Sequence, residues 1–228
     1  MKLICLLTRF GIIQSMTKEL YSTLWEIYLK SASKLTKEDI NQFETIIHGL
    51  KFKKNCKIRL MGDEFADRGS NDIFTMLLFK KMNNNNVAFE ILLSNHGFGF
   101  MSAILTDTYN IHRAQSTSLF NLYTLINQCF LKKEDVSDFI TTDYIPKVKL
   151  LSYTVDEKTN TISIYSHAPV GLENIRNITN YLDVTYQDIN IFELKTTIDK
   201  INSRWQEKNT PFIVNHKKQG PLIFPYVE

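Results

Sequence analysis

The stretch "KIRLMGDEFADRGSND", residues 57–72, decides the fold of this chain. It begins as an apolar strand and runs directly into Gly62 and Asp63, then into Asp67, Arg68 and Gly69. A strand that ends in so much charge is either followed by a solvated turn or holds a metal ion and a phosphate. The residues around it distinguish these two interpretations.

A strand–helix–strand unit surrounds these charges. The strand "CKIRLMG" (56–62) is followed by the helical pattern "NDIFTMLLFKKM" (71–82) and by a second apolar strand, "VAFEILL" (87–93). This order predicts parallel pairing with a right-handed crossover. Ligands of such sheets collect at the carboxyl ends of the strands. We therefore expect residues 63–68 and 95–96 to share one crevice.

The remaining segments predict an α/β fold. Helices are expected near Leu3 and Phe10 and over residues 17–30, 35–50, 113–142, 171–182 and 189–208. Thr36 and Asp39 are expected to cap the helix over residues 35–50. Residues 147–167 predict a β-hairpin around a turn at 156–160, and "PFIV" (211–214) predicts a short strand. Helices would cover both sides of a sheet with a parallel centre, and the hairpin would complete that sheet.

Composition excludes several classes of protein. The chain has 228 residues, 43% of them hydrophobic and 22% charged, which fits one folded domain over residues 1–228. A net charge of +3 is too small to indicate a nucleic acid or an anionic membrane as partner. The apolar run 3–7 is too short for a Sec signal peptide and Arg9 follows it, and no run approaches the length of a membrane span.

The side chains expected at the strand ends suit phosphoester hydrolysis at a metal centre. Such a site needs oxygen and imidazole ligands, a cation for the phosphate and an acid for the leaving oxygen. The candidates are Asp63, Asn95 and His167 as ligands, Arg68 as the phosphate clamp, and His96 as an acid oriented by Asp67. Each cluster alone is more often a polar turn or a structural histidine, but their order at successive strand ends favours the functional interpretation.

Three motifs carry a family resemblance. "GDEFADRGSND" resembles the "GD…DRG" motif of metallophosphoesterases of the phosphoprotein phosphatase (PPP) type, "LLSNHG" resembles their "GNHE", and "ISIYSHAPVG" resembles the strand with their later metal histidine. The match covers roughly residues 57–175 and is closest to PPP-like effectors that bacteria export through the Dot/Icm type IV secretion system. The resemblance implies a sheet sandwich flanked by helices.

The resemblance also implies the roles of the candidate residues. Asp63 would bridge two metal ions, manganese or else iron or zinc, and Asn95 and His167 would bind the second ion. Arg68 would bind phosphate, and His96 with Asp67 would form the acid and its orienting partner. His216, after the strand predicted at 211–214, is the candidate for the last metal ligand.

Two departures from the family pattern qualify these expectations. Three residues rather than two separate Gly62-Asp63 from Asp67, and no Asp-x-His motif precedes Asp63. We therefore expect a domain that lacks the first strand, with an unpaired sheet edge, at most one well-held metal ion and poor turnover. The C-terminus is a second candidate for an incomplete end of the domain.

Two functions follow for the chain. The first is a phosphatase that acts on a phosphorylated protein or a small phosphoester and is exported from the bacterial cytoplasm into a host cell. The alternative is a catalytically inactive remnant or a phosphoprotein-binding module.

Overall fold

The computed structural model describes residues 1–105 and 117–214, with side chains described as far as residue 208. Its helices and strands form an α/β fold, as the sequence predicts, with one strand–helix–strand unit over residues 57–92. The helices are α1 (Lys2–Arg9), α2 (Lys18–Leu29), α3 (Lys37–His48), α4 (Asp72–Asn84), α5 (Asn95–Leu105), α6 (Thr117–Asn127), α7 (Lys133–Phe139), α8 (Leu172–Leu182) and α9 (Ile191–Val214). The strands are β1 (Lys57–Leu60), β2 (Ala88–Leu92), β3 (Val148–Lys149), β4 (Ser152–Asp156) and β5 (Thr161–Tyr165).

The predicted parallel unit is present. In the described residues β1, β2 and β3 form one parallel sheet in that order, with Ile58 opposite Phe89 and Ile91 opposite Val148. Helix α4 makes the crossover from β1 to β2. This order leaves β1 at an edge of the described sheet. The carboxyl ends of β1 and β2 therefore lie side by side, as the sequence predicts.

The hairpin is also present, but its first strand is shorter than expected. Strands β4 and β5 pair antiparallel around residues 156–160, whereas Val148 and Lys149 pair with β2 in the other sheet. Asn202 of α9 fixes the change of sheet, since its Oδ1 accepts a hydrogen bond from the Leu150 backbone N–H at 3.0 Å and its Nδ2 donates to the Leu151 carbonyl at 2.8 Å. This anchor comes from another part of the chain, which a local strand pattern does not reveal.

The prediction of a strand at residues 211–214 is wrong. These residues form the last turn of α9, which ends at Val214. A run of four residues with apolar members does not distinguish a strand from a continuing helix, and extending a helix costs less than starting a new element. His216, which was placed after that strand, lies outside the described residues.

A buried charge cluster joins the two sheets. The Glu90 side chain is only 4% exposed, and it lies 2.6 Å from Arg59 Nε and 2.9 Å from Lys149 Nζ. Ser152 on β4 donates a hydrogen bond to the same carboxylate, and Arg59 donates to the Tyr153 carbonyl at 2.9 Å. The cluster therefore fixes the hairpin against the parallel sheet.

Aromatic side chains form much of the core near the strand ends. Phe65 is fully buried and packs against Phe79, Phe100, Phe139 and Tyr144. Within residues 1–105 and 117–214, none of the helices combines the length and the apolar composition needed to cross a bilayer.

Candidate active site

The turn after β1 brings Asp63 to the end of β2. Gly62 and Asp63 have positive φ angles of 92° and 61°, so the chain turns sharply as the strand ends. The Asp63 backbone N–H donates to Ser94 Oγ at 3.0 Å. A Cβ at Gly62 would lie 2.7 Å from both His167 Nδ1 and Ser94 Cβ, so only glycine fits here. Three segments thus meet at Gly62.

The extra residue between Asp63 and Asp67 is accommodated by a second left-handed residue and a buried anchor. Ala66 has a φ angle of 52°, and Phe65 beside it points into the aromatic core. The Asp72 carboxylate, at the start of α4, accepts a hydrogen bond from the Ala66 backbone N–H at 3.0 Å. Burial raises the pKa of Asp72 to about 7, with the Ala66 hydrogen bond opposing that rise. The buried Asp72 carboxylate therefore fixes the conformation of this turn.

His167 and Asp63, two of the predicted metal ligands, lie close together. His167 Nδ1 donates to the Met61 carbonyl at 2.7 Å, since a carbonyl oxygen only accepts. Its Nε2 lies 3.5 Å from Asp63 Oδ1, an oxygen that is buried and has no hydrogen-bond partner. A histidine held through Nδ1 by a carbonyl presents Nε2 to a metal ion. The hairpin thus places these two candidate ligands side by side.

His96 and Asp67 also come together, with a different orientation from the one expected. His96 Nδ1 donates to the Ala66 carbonyl at 2.6 Å, while Nε2 lies 3.6 Å from Asp67 Oδ1. The ring is therefore oriented by Ala66, and Asp67 faces the nitrogen that would deliver a proton. Both ring nitrogens of His96 face oxygen acceptors.

A cavity of about 470 Å³ adjoins these residues. Arg68 is exposed on its wall and Asn95 is exposed at the start of α5. Carboxylates and one arginine line this cavity, together with apolar side chains of the first two helices. The lining includes Leu6, Trp25, Met61, Asp63, Asp67 and Arg68.

The structure adds Glu64, a residue to which the sequence assigned no role. Its Oε1 accepts a hydrogen bond from the Tyr144 hydroxyl, and its Oε2 is buried without a partner. Burial raises the pKa of Glu64 to about 7, with the Tyr144 hydrogen bond opposing the rise. The only sign of it in the sequence is that an acidic residue is one of the three that separate Asp63 from Asp67, where the family pattern has two.

The donor set fits a divalent metal ion in part. Asp63 Oδ1 and His167 Nε2 are a carboxylate and an imidazole donor at neighbouring positions, which suits manganese, iron or zinc. However, among the residues whose side chains the structure describes, no three His, Cys, Asp or Glu side chains stand close enough to hold an ion. The candidate centre is therefore built on this pair, and Asn95, exposed at the start of α5, remains the amide candidate from the sequence.

Comparison with known proteins identifies the family. Residues 57–220 match the family model described as "WipA-like, phosphatase domain". The chain belongs to this family. The WipA-like match begins with β1 and includes Asp63, His96 and His167, so it covers the segments that build the site.

A solved structure supports the same relationship. The chain is similar to the phosphatase domain of the Legionella effector WipB, with a TM-score of 0.84 and 29% sequence identity over 93% of this chain and 78% of that chain. A comparison with curated proteins found no match. The predicted resemblance to PPP-like effector phosphatases and the predicted α/β class are both confirmed by the WipA-like assignment and this structure.

Proposed function

We propose that this chain is a metal-dependent phosphoester hydrolase of the protein-phosphatase type. The observation that carries the proposal is the buried, unpartnered Asp63 Oδ1, which lies 3.5 Å from His167 Nε2 at the end of β1. An unpaired buried carboxylate oxygen is costly unless a cation or a donor satisfies it. A divalent metal ion bound by this pair would polarise a phosphoryl oxygen and stabilise the developing charge.

The other residues of the site supply binding and proton transfer. The Arg68 guanidinium, exposed on the cavity wall, suits two phosphoryl oxygens at once because of its planar fork. His96 is held by the Ala66 carbonyl through Nδ1, which leaves Nε2 to carry a proton toward the leaving oxygen. Asp67 Oδ1 lies 3.6 Å from Nε2, so a carboxylate faces the nitrogen that would deliver this proton.

Hydrolysis of an aryl phosphate with added Mn²⁺ tests this proposal. We expect Asp63→Asn and His96→Ala each to lower the rate by about 100-fold or more, as removal of a metal ligand or a general acid does. His48→Ala is the matched control, because His48 is exposed on α3 and pairs with Glu44. Wild-type activity equal to that of both variants would reject the site.

The proposed substrate is a phosphorylated protein or a small phosphoester, and the proposed destination is a host cell. Both rest on the WipB domain, which is described as a phosphatase domain of a Legionella effector. A reporter fused to the chain should enter host cells only from bacteria with a working type IV secretion system. Equal delivery without that system would contradict the proposed export.

A phosphoprotein-binding module is the second candidate. It is favoured by the described centre, in which Asp63 and His167 form a pair of ligands rather than a group of three. Binding of a phosphopeptide that Arg68→Ala abolishes, without any release of phosphate in saturating Mn²⁺, would select this candidate over the hydrolase.

A further inference from the structure

Ser94 connects the two strand ends at the centre of the site. We propose that Ser94 is a positioning residue that aims Asp63 at the metal ion, a role that rests on the function proposed above. Its side chain is 1% exposed, and its Oγ accepts hydrogen bonds from the Asp63 backbone N–H at 3.0 Å and from the Gly97 backbone N–H at 2.9 Å. One hydroxyl therefore joins the turn after β1 to the start of α5.

The conformation of Asp63 explains why it needs this support. Its φ angle is 61°, in the left-handed region that costs a non-glycine residue roughly 1–2 kcal/mol. An aspartate side chain has few rotatable bonds, so the direction of its carboxylate follows the backbone closely. A hydrogen bond to the Asp63 amide thus stabilises both the strained backbone and the direction of Oδ1.

The second hydrogen bond fixes Ser94 itself. Gly97 is the third residue of α5, so the Ser94 hydroxyl occupies the position of a helix N-cap. Close packing adds to this restraint, because a Cβ at Gly62 would approach Ser94 Cβ to 2.7 Å. The turn that carries Asp63 is therefore attached to a helix, and the helix sets its position.

A helix cap alone would also explain a buried serine at this place. A cap contributes about 1 kcal/mol to stability and has no effect on metal binding. The proposed role differs because it predicts a loss of metal affinity in excess of the loss of stability. The two roles are separated by comparing Ser94 with a cap far from the site.

Thr36 provides that comparison. Its Oγ1 accepts a hydrogen bond from the Asp39 backbone N–H at 3.1 Å and caps α3. We expect Ser94→Ala to weaken Mn²⁺ binding by about tenfold, as measured by titration calorimetry. This is the lower end of the range for loss of a residue that supports a metal ligand. Thr36→Ala should lower the melting temperature without changing Mn²⁺ affinity. Unchanged affinity in Ser94→Ala would overturn the proposal and leave a cap only.

Two further measurements keep the test decisive if Ser94→Ala folds poorly. Ser94→Thr retains the hydroxyl, and we expect it to recover most of the Mn²⁺ affinity. In the wild-type chain without metal, the Asp63 amide should exchange its hydrogen slowly. Exchange of that amide at the rate of a free peptide would overturn the proposal. A wild-type chain that binds no Mn²⁺ would reject the proposed function and, with it, the role of Ser94.

Discussion

His167 Nε2 lies 3.5 Å from Asp63 Oδ1, although the two residues belong to different sheets. Asp63 follows β1 of the parallel sheet, and His167 follows β5 of the hairpin. The site therefore exists only where the two sheets are correctly placed against each other.

His167→Ala should weaken Mn²⁺ binding by at least about tenfold, because loss of a direct ligand costs no less than loss of a supporting residue. Titration calorimetry measures the affinity. His48→Ala, on the exposed face of α3, is the control and should bind Mn²⁺ as the wild type does. Equal affinities for the two variants would remove His167 from the metal centre.

Gly62→Ala should destabilise the fold and displace His167. The φ angle of 92° strains any side chain, and the new methyl group would lie 2.7 Å from His167 Nδ1 and 2.9 Å from the Leu92 carbonyl oxygen. We expect a loss of about 1–2 kcal/mol or more in the free energy of unfolding, measured in urea.

Gly99→Ala is the matched control for this change. Gly99 lies in α5, and a Cβ there would meet nothing within 4 Å. Alanine in a helix should leave the free energy of unfolding unchanged or raise it by up to about 1 kcal/mol. If the Gly62→Ala chain were as stable as the Gly99→Ala chain, the close packing around Gly62 would be contradicted.

Glu64→Gln should stabilise the metal-free chain at alkaline pH. Folding raises the Glu64 pKa from 4.5 to about 7, so the native state holds this proton more tightly than the unfolded state. Stability is therefore lost as pH rises from 4.5 to 7. The free energy of unfolding of the variant should exceed that of the wild type by about 3 kcal/mol at pH 8 in EDTA and match it at pH 4. An equal gain at both values would show that charge is not the cause.

Glu90→Gln should destabilise the chain at neutral pH. Burial alone would raise the pKa of Glu90, but hydrogen bonds from Ser152, Lys149 and Arg59 outweigh it and lower the pKa to about 2. The charged form thus contributes stability above pH 4.5, and this contribution is lost as pH falls toward 2. We expect a cost of about 3 kcal/mol at pH 7, because the variant leaves the largely buried Arg59 guanidinium without its carboxylate.

Glu157→Gln, in the exposed turn of the hairpin, is the control for Glu90 and should change stability little. Urea unfolding at pH 7 and at pH 3 gives the comparison. A Glu90→Gln cost that stays constant as pH falls would indicate that packing, rather than charge, stabilises the cluster.

The sequence predicted the elements whose signals are local. The apolar runs of β1 and β2, the α4 pattern and the parallel crossover rule placed residues 63–68 beside 95–96. The cap of α3 is present as predicted, since Thr36 and Asp39 exchange both hydrogen bonds of a capping box. Local spacing sufficed for these features because each depends on neighbouring residues alone.

The remaining features depend on contacts between distant segments. No sequence pattern indicates that Tyr144 donates to Glu64, or that the Ala66 carbonyl holds His96 Nδ1. The sequence did not predict α5 and so did not mark Ser94 as a helix cap, and the bond of Ser94 to the Asp63 amide depends on the crossing of two strand ends. The helix at residues 211–214 was missed because four residues are too few to show a period.

Phe65 gives the site loop an unusual dependence on the rest of the molecule. Its ring is stacked on Phe100 at 4.5 Å and meets Phe139 and Tyr144 edge-on, so the segment between Asp63 and Asp67 is anchored in the buried aromatic core. Because such a core opens last, we expect this loop not to melt separately from the rest of the fold. On heating, inactivation and global unfolding should occur as one event, and no inactive but folded intermediate should accumulate.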